Sequence, residues 1–175
     1  MMLPLLALML AAQDAPLPPP AANPPRSAKP ADRLPPANPL PYQDPDAAAV
    51  MAPIDALLAG LTARDARAIL AVTDPEGRIT AVEEKPDGTR AVRTLGWNDY
   101  AGAIRPGATR IEERLSTPAI EVDGDIAMVW ASYVFLIDGK PHHCGTNHFD
   151  MVRQAGGWKL RNVTYTHRTT GCEVR

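Results

Sequence analysis

The last third of the chain is a series of apolar-rich runs separated by turn signals. The runs Ile111 to Val122, Ile126 to Leu136, Pro141 to Val152 and Trp158 to Thr169 are separated by Asp123-Gly124, Asp138-Gly139 and Ala155-Gly156-Gly157. An Asp-Gly pair between apolar runs is the strongest short-range hairpin signal, because both central residues of a type I′ turn need a positive φ. We therefore predict a four-strand antiparallel meander, around which the rest of the chain is organised.

The turns also predict which side chains share a face of this meander. A two-residue turn in the second hairpin pairs Trp130 with Asn147, and the turn of the third hairpin pairs Asn147 with Thr164. Side chains alternate between faces with period two. The face with the larger apolar groups then carries Ile126, Met128, Trp130, Val134, His143, Asn147, Phe149, Met151, Trp158, Leu160, Asn162 and Thr164. We assign this face to the interior, and a bulge in a hairpin would exchange parts of the two faces.

The opposite face of the predicted meander is also rich in apolar groups. It carries Val129, Tyr133, Val163 and Tyr165. A solvated sheet face is normally polar, so an apolar outer face indicates a covering partner. We therefore expect a homodimer formed through the outer face of the sheet.

The N-terminal part of the chain is not typical of a folded domain. Met1 to Ala12 is an apolar run that is too short to span a bilayer, and Leu10-Ala11-Ala12 resembles a signal-peptide cleavage site. We predict a signal peptide at residues 1–12, with a disordered apolar terminus as the alternative. Residues 13–46 form a Pro-rich stretch that is typical of an extended tether. The mature protein would then be periplasmic or secreted, without a stable membrane anchor.

The remaining residues, 47–175, form the predicted folded domain. Two helices at 47–62 and 63–72, a hairpin over 78–94 and a third helix at 96–104 precede the meander. This order indicates an α+β fold with N-terminal helices laid on one face of a curved antiparallel sheet. The formal net charge of −2 gives no electrostatic reason to expect a nucleic-acid partner.

Several stretches of this domain resemble a known superfamily. They are Asp123-Gly-Asp-Ile-Ala-Met-Val-Trp130, His143-Cys-Gly-Thr-Asn-His-Phe-Asp150, Gly157-Trp-Lys-Leu160, and Thr164-Tyr-Thr-His-Arg168 with Cys172. Together with the element order, they resemble the nuclear transport factor 2-like superfamily, which includes ketosteroid isomerase and polyketide cyclases. They are most similar to its small exported branch of candidate lumazine-binding proteins. The resemblance covers residues 46–173 and implies a conical fold that is open to many functions.

The resemblance implies a ligand cavity between the helices and the sheet. The predicted interior face offers it Trp130, His143, Asn147, Asn162 and Thr164, and the third helix would cover it with Trp97 and Tyr100. An apolar surface with a few directional polar groups is the usual make-up of a small-molecule pocket. A sealed core with a satisfied polar network is the alternative. No cofactor is expected.

Three functions remain open at this point. The first is an exported module that binds an unknown small molecule. The second is an isomerase, dehydratase or cyclase that uses His143 as its general base, because histidine titrates near neutral pH. In ketosteroid isomerase an Asp base faces a Tyr/Asp pair, whereas the predicted interior face here carries no carboxylate, which disfavours isomerase chemistry. The third is a purely structural dimer module.

The two cysteines, Cys144 and Cys172, are predicted to form a disulfide if the chain is exported. Free thiols are one alternative. Zinc bound by His142, Cys144 and His167 is another, but the spacing matches no standard zinc motif, so no metal site is expected. Asp150 and Arg161 are predicted to form a cross-strand ion pair.

Overall fold

The structure is a computed structural model that describes residues 45–172, so the predicted signal peptide and nearly all of the tether lie outside the described residues. Its helices are α1 (Pro45–Ala63), α2 (Ala66–Val72) and α3 (Trp97–Ala103). Helix α2 begins where the Asp65 carboxylate accepts hydrogen bonds from the backbone N–H groups of Arg67 and Ala68, at 2.9 and 3.0 Å.

Helix α1 presents one apolar stripe to the core. Val50, Ile54, Leu57 and Leu61 recur at helical spacing and are all buried. Among the described helices, α1 alone is long and apolar enough to cross a membrane. Its buried stripe accounts for this apolar character, since the stripe packs against the sheet.

Seven strands form one curved, mixed sheet. They are β1 (Thr73–Glu84), β2 (Arg90–Gly96), β3 (Ile111–Leu115), β4 (Ala119–Asp123), β5 (Ile126–Ile137), β6 (Lys140–Gln154) and β7 (Gly157–Arg168). The order is β2-β1-β7-β6-β5-β3, and β4 also pairs with β5. The predicted α+β element order is confirmed, with two refinements. The first run of the meander is split into β3 and β4, and the β1–β7 pairing is parallel.

The β5–β6 hairpin carries a bulge that overturns the predicted register. The turn pairs Ile137 with Lys140 as predicted, but Leu136 then pairs with Pro141 and Phe135 with His143. His142 is therefore the extra residue, and Trp130 pairs with His148 instead of Asn147. Pro141 has no N–H group to give to the ladder, which is why a bulge is tolerated beside it.

Because of this bulge, the predicted faces of β5 are exchanged. Ala127, Val129, Ala131 and Tyr133 are buried, whereas Ile126, Met128 and Trp130 have exposed fractions of 58%, 38% and 53%. The assignment of Trp130 to the interior and of Tyr133 to the outer face was therefore wrong. On β6 the assignment was correct, because Asn147, Phe149 and Met151 are buried.

A second bulge, in β7, exchanges the faces of that strand beyond Leu160. Met151 pairs with Leu160 and Asp150 with Asn162, so Arg161 is the extra residue. Val163 is consequently buried, and Tyr165 follows it on the inner face. The predicted interior positions of Asn162 and Thr164 were wrong: Asn162 donates to Asp150 at 2.8 Å on the outer face, and Thr164 is exposed.

The β7 bulge is held by contacts from two other elements. The Trp97 indole N–H donates to the Arg161 carbonyl oxygen at 3.2 Å. Gly77 lies so close that a Cβ there would overlap the same carbonyl group. The Arg161 guanidinium pairs with the buried Asp74 at 2.9 Å, so the predicted ion pair with Asp150 was wrong.

The predicted Cys144–Cys172 disulfide is present, with the two Cα atoms 5.5 Å apart. It ties the tail that follows β7 back to the middle of β6. Such a bond is typical of proteins that fold in an oxidising compartment. In this bond the Cys144 sulfur offers no thiolate to a metal ion.

Candidate functional site

A cavity of about 290 Å³ lies between helices α1 and α3 and the inner face of the sheet. Its lining is mostly apolar, with five side chains that can form hydrogen bonds: two tyrosines, one carboxylate, one imidazole and one amide. The lining residues are Leu57, Leu58, Leu61, Ile79, Tyr100, Ala103, Ile104, Glu113, Phe135, His143, Asn147, Phe149, Val163 and Tyr165. This composition is that of a small-molecule pocket.

Glu113 is the one carboxylate among the described residues that line this cavity. On the short strand β3, Ile111, Glu113 and Leu115 alternate toward the inner face, so Glu113 is held between two apolar neighbours. Its carboxylate accepts a hydrogen bond from the amide of the buried Asn147 at 2.7 Å. Burial raises the pKa of Glu113 to about 7, although the Asn147 hydrogen bond works against this rise. Glu113 can therefore gain or lose a proton near neutral pH.

Three tyrosines interact electrostatically with this carboxylate. Burial raises the pKa of Tyr100, Tyr133 and Tyr165, and the charge of Glu113 adds to the rise. Their hydroxyl groups therefore stay protonated at neutral pH. Tyr133 donates its hydroxyl to the Thr166 carbonyl at 2.9 Å, whereas Tyr100 and Tyr165 line the cavity.

His143 lies in the same wall of the cavity as Glu113, since both residues pair with Phe135 in one row across the sheet, and it is part of a cluster of rings. It stacks on Phe135 with ring centroids 4.5 Å apart, and the His167 ring is 4.3 Å away. Burial lowers the pKa of His143 to about 4, and the neighbouring His167 and His142 add to this effect. The imidazole is therefore neutral at physiological pH and is poorly matched to a base that must cycle its proton near pH 7.

The structure brings together only part of the predicted ligand site. Tyr100, His143 and Asn147 line the cavity. Trp97 is fully buried, packs in an edge-to-face contact with Tyr100, and is part of the hydrophobic core. Trp130, Asn162 and Thr164 lie on the other face of the sheet because of the two bulges.

Sequence reasoning missed Glu113, Phe135 and Tyr165 as cavity residues. Glu113 had a usable signal, since the alternation of Ile111, Glu113 and Leu115 places a carboxylate between apolar residues on one face. Tyr165 had no such sequence signal, because a register without the β7 bulge assigns it to the outer face.

Solved structures with the same fold confirm the architecture. A nuclear transport factor 2-like protein with a cystatin-like fold from Novosphingobium aromaticivorans is 19% identical, with a TM-score of 0.58, over 73% of this chain and 84% of that chain. The beta subunit of a candidate aromatic-ring-hydroxylating dioxygenase from the same organism is 16% identical, with a TM-score of 0.58, over 72% of this chain and 91% of that chain. A candidate dehydratase from Streptomyces avermitilis is 20% identical, with a TM-score of 0.55, over 69% of this chain and 94% of that chain.

These likenesses define the class of fold. The chain has the nuclear transport factor 2-like fold, as its motifs predicted. No protein-family model matches the sequence, and no curated protein matches it. The lumazine-binding branch therefore stays a prediction, since identities this low carry the fold alone.

Proposed function

We propose that this domain binds a small molecule in the cavity that contains Glu113. The observation that carries this proposal is the Glu113–Asn147 hydrogen bond, which sets a polar pair into an otherwise apolar lining. Leaving a carboxylate in such a place is costly, as its raised pKa indicates. Orientation of a ligand by hydrogen bonds to this pair is a functional reason for keeping the carboxylate there.

A neutral fluorescent probe tests this proposal without knowledge of the natural ligand. Phenylnaphthylamine is apolar and brightens in an apolar site, and we expect it to bind the wild-type protein. Ala103→Trp puts a large side chain from α3 into the cavity lining and should abolish binding. Ala48→Trp, an equal change at an exposed position of α1, should leave binding intact. Equal binding by wild type and both variants would contradict the proposal.

A second candidate is an enzyme that transfers a proton, of the isomerase or dehydratase kind. The pKa of about 7 at Glu113 favours it, because an efficient general base has a pKa near the working pH. In this mechanism Glu113 removes a proton from carbon. The Tyr100 or Tyr165 hydroxyl donates a hydrogen bond to the oxygen on which negative charge develops. Glu113 is therefore our candidate for the general base, in place of the earlier candidate His143.

Nitrobenzisoxazole offers a direct assay for such a base. When a carboxylate takes its ring C–H proton, the C–H electron pair forms the nitrile, the N–O bond breaks and a coloured phenolate is released. We expect a rate that rises with pH to a plateau above about pH 7, and a loss of this rate in Glu113→Gln. A Glu113→Gln variant as fast as the wild type would exclude Glu113 as the base.

Export of the mature protein is the next part of the proposal. The apolar run at residues 1–12, the Pro-rich stretch after it and the Cys144–Cys172 disulfide all support a periplasmic or secreted location. The intact mass of protein from the native host should correspond to a chain that begins near Gln13. A mass that includes Met1 would contradict export through this signal.

The expected partner is a second copy of the chain, bound through the outer face of the sheet. Ile126, Met128 and Trp130 expose an apolar surface there. The row through Met128 begins at the acidic Glu121 on β4 and ends at the basic Arg78 on β1. A two-fold axis parallel to the strands would set the acidic side of one copy over the basic side of the other.

A further inference from the structure

We propose that the ligand of the cavity is an amphipathic monoanion whose charged end is bound by Arg93 in a second, outer lobe. This inference rests on the proposed function and names the class of molecule. The outer lobe has a volume of about 400 Å³. It shares Ile79, Tyr100, Ala103 and Tyr165 with the lobe that contains Glu113, so the two lobes adjoin, and in this proposal they hold one elongated ligand.

The two polar ends of this site are joined by one row of the sheet. Asn147 pairs with Tyr165, Tyr165 with Ala81, and Ala81 with Arg93. Paired residues point to the same face of the sheet, so Arg93 lies on the same face as Asn147, at an exposed position on β2. Three strand spacings separate their Cα atoms by roughly 14 Å. A ligand that touches both must therefore be elongated.

Arg93 is available to bind an anion. Within residues 45–172 its guanidinium forms no ion pair and no side-chain hydrogen bond, and it lines the outer lobe. Burial and the charge of Glu113 raise the pKa of Tyr165, while Arg93 opposes the rise. Tyr165 thus lies in the electric field of both groups, between the acidic inner end and the basic outer end.

The rest of the outer lobe limits what the ligand can be. Ala81, Ala91 and Leu95 give it an apolar wall that suits rings or a hydrocarbon chain. The Glu83 carboxylate also lines the lobe and would repel a second negative charge. The class is therefore an apolar body with one carboxylate or sulfonate at the outer end and one uncharged hydrogen-bonding group at the inner end.

Two matched probes test this class. Anilinonaphthalene sulfonate has the rings of phenylnaphthylamine with one sulfonate added. Arg93→Gln should weaken binding of the sulfonate about three- to tenfold, because a charge-assisted hydrogen bond is lost at a partly exposed site. It should leave binding of the neutral probe unchanged.

Arg90→Gln is the matched control, since Arg90 lies on the same strand, pairs with Glu84 and does not line the lobe. It should change neither affinity. If Arg93→Gln and Arg90→Gln affect the sulfonate equally, or if Arg93→Gln weakens both probes alike, the anion site is refuted while cavity binding stands. If the Ala103→Trp variant binds both probes as tightly as the wild type does, the proposed function itself is refuted.

Discussion

At the scale of single residues, Glu113 determines what the cavity can do. Its carboxylate is partly buried, accepts one amide hydrogen bond and has a pKa of about 7. It is therefore protonated in part of the protein population at neutral pH, and it can act as a hydrogen-bond donor or as a base. His143, with a pKa lowered to about 4, stays a neutral ring in the same wall.

This pKa predicts how stability depends on pH. The pKa of Glu113 rises from 4.5 to about 7 on folding, so the folded state binds the extra proton between these values. The free energy of unfolding should therefore fall as pH rises from about 4.5 to about 7, by roughly 1–3 kcal/mol relative to Glu113→Gln.

Denaturant unfolding of both proteins across this range measures the difference. His143 contributes with the opposite sign, since its pKa is lowered from 6.5 to about 4, and its contribution is lost as pH falls. It is present in both proteins and cancels in the comparison. A pH-independent difference between wild type and Glu113→Gln would mean that Glu113 titrates normally.

At the scale of elements, the sequence predicted the helices, the hairpins and their order, because turn residues and periodicity are local signals. It failed at two bulges. Placing His142 and Arg161 outside the ladder depends on contacts with distant residues, such as Trp97 and Gly77 for Arg161. One slip exchanges every side chain beyond it, which is why Trp130 and Tyr133 were assigned to the wrong faces.

The β7 bulge predicts a sharp difference between two glycines. Gly77→Ala would place a methyl group in the Arg161 carbonyl, so the backbone must shift and the free energy of unfolding should fall by about 2 kcal/mol or more. Gly156→Ala meets no atom within 4 Å and should change it by less than about 1 kcal/mol. Equal effects in thermal unfolding would contradict the close contact at the bulge.

The disulfide also leads to a prediction about stability. The Cys144→Ser, Cys172→Ser double variant should lose about 3–4 kcal/mol of stability, because the bond closes a 28-residue separation in the unfolded chain. Alkylation without reductant should leave both thiols of the wild type unlabelled. Ready labelling of protein made under oxidising conditions would contradict the bond.

At the scale of the whole molecule, one face of the sheet packs on the core, whereas the second face exposes large apolar side chains. Trp130, on β5, lies on that second face with 53% of its surface exposed. If a second copy covers it, Trp130→Asp should convert a dimer to a monomer in sedimentation. Leu70→Asp, on α2, should not. A wild-type monomer at micromolar concentration would contradict the dimer.

The proposed function of the molecule depends on the cavity beside Glu113 being a ligand site. The most direct measurement is a crystal structure of the wild-type protein grown with phenylnaphthylamine. We expect the rings to lie between Tyr100 and Tyr165, with the amine within hydrogen-bonding distance of the Glu113 carboxylate. Ligand binding in the cavity would be contradicted if the rings were found only on the outer face beside Trp130 and side chains closed the cavity.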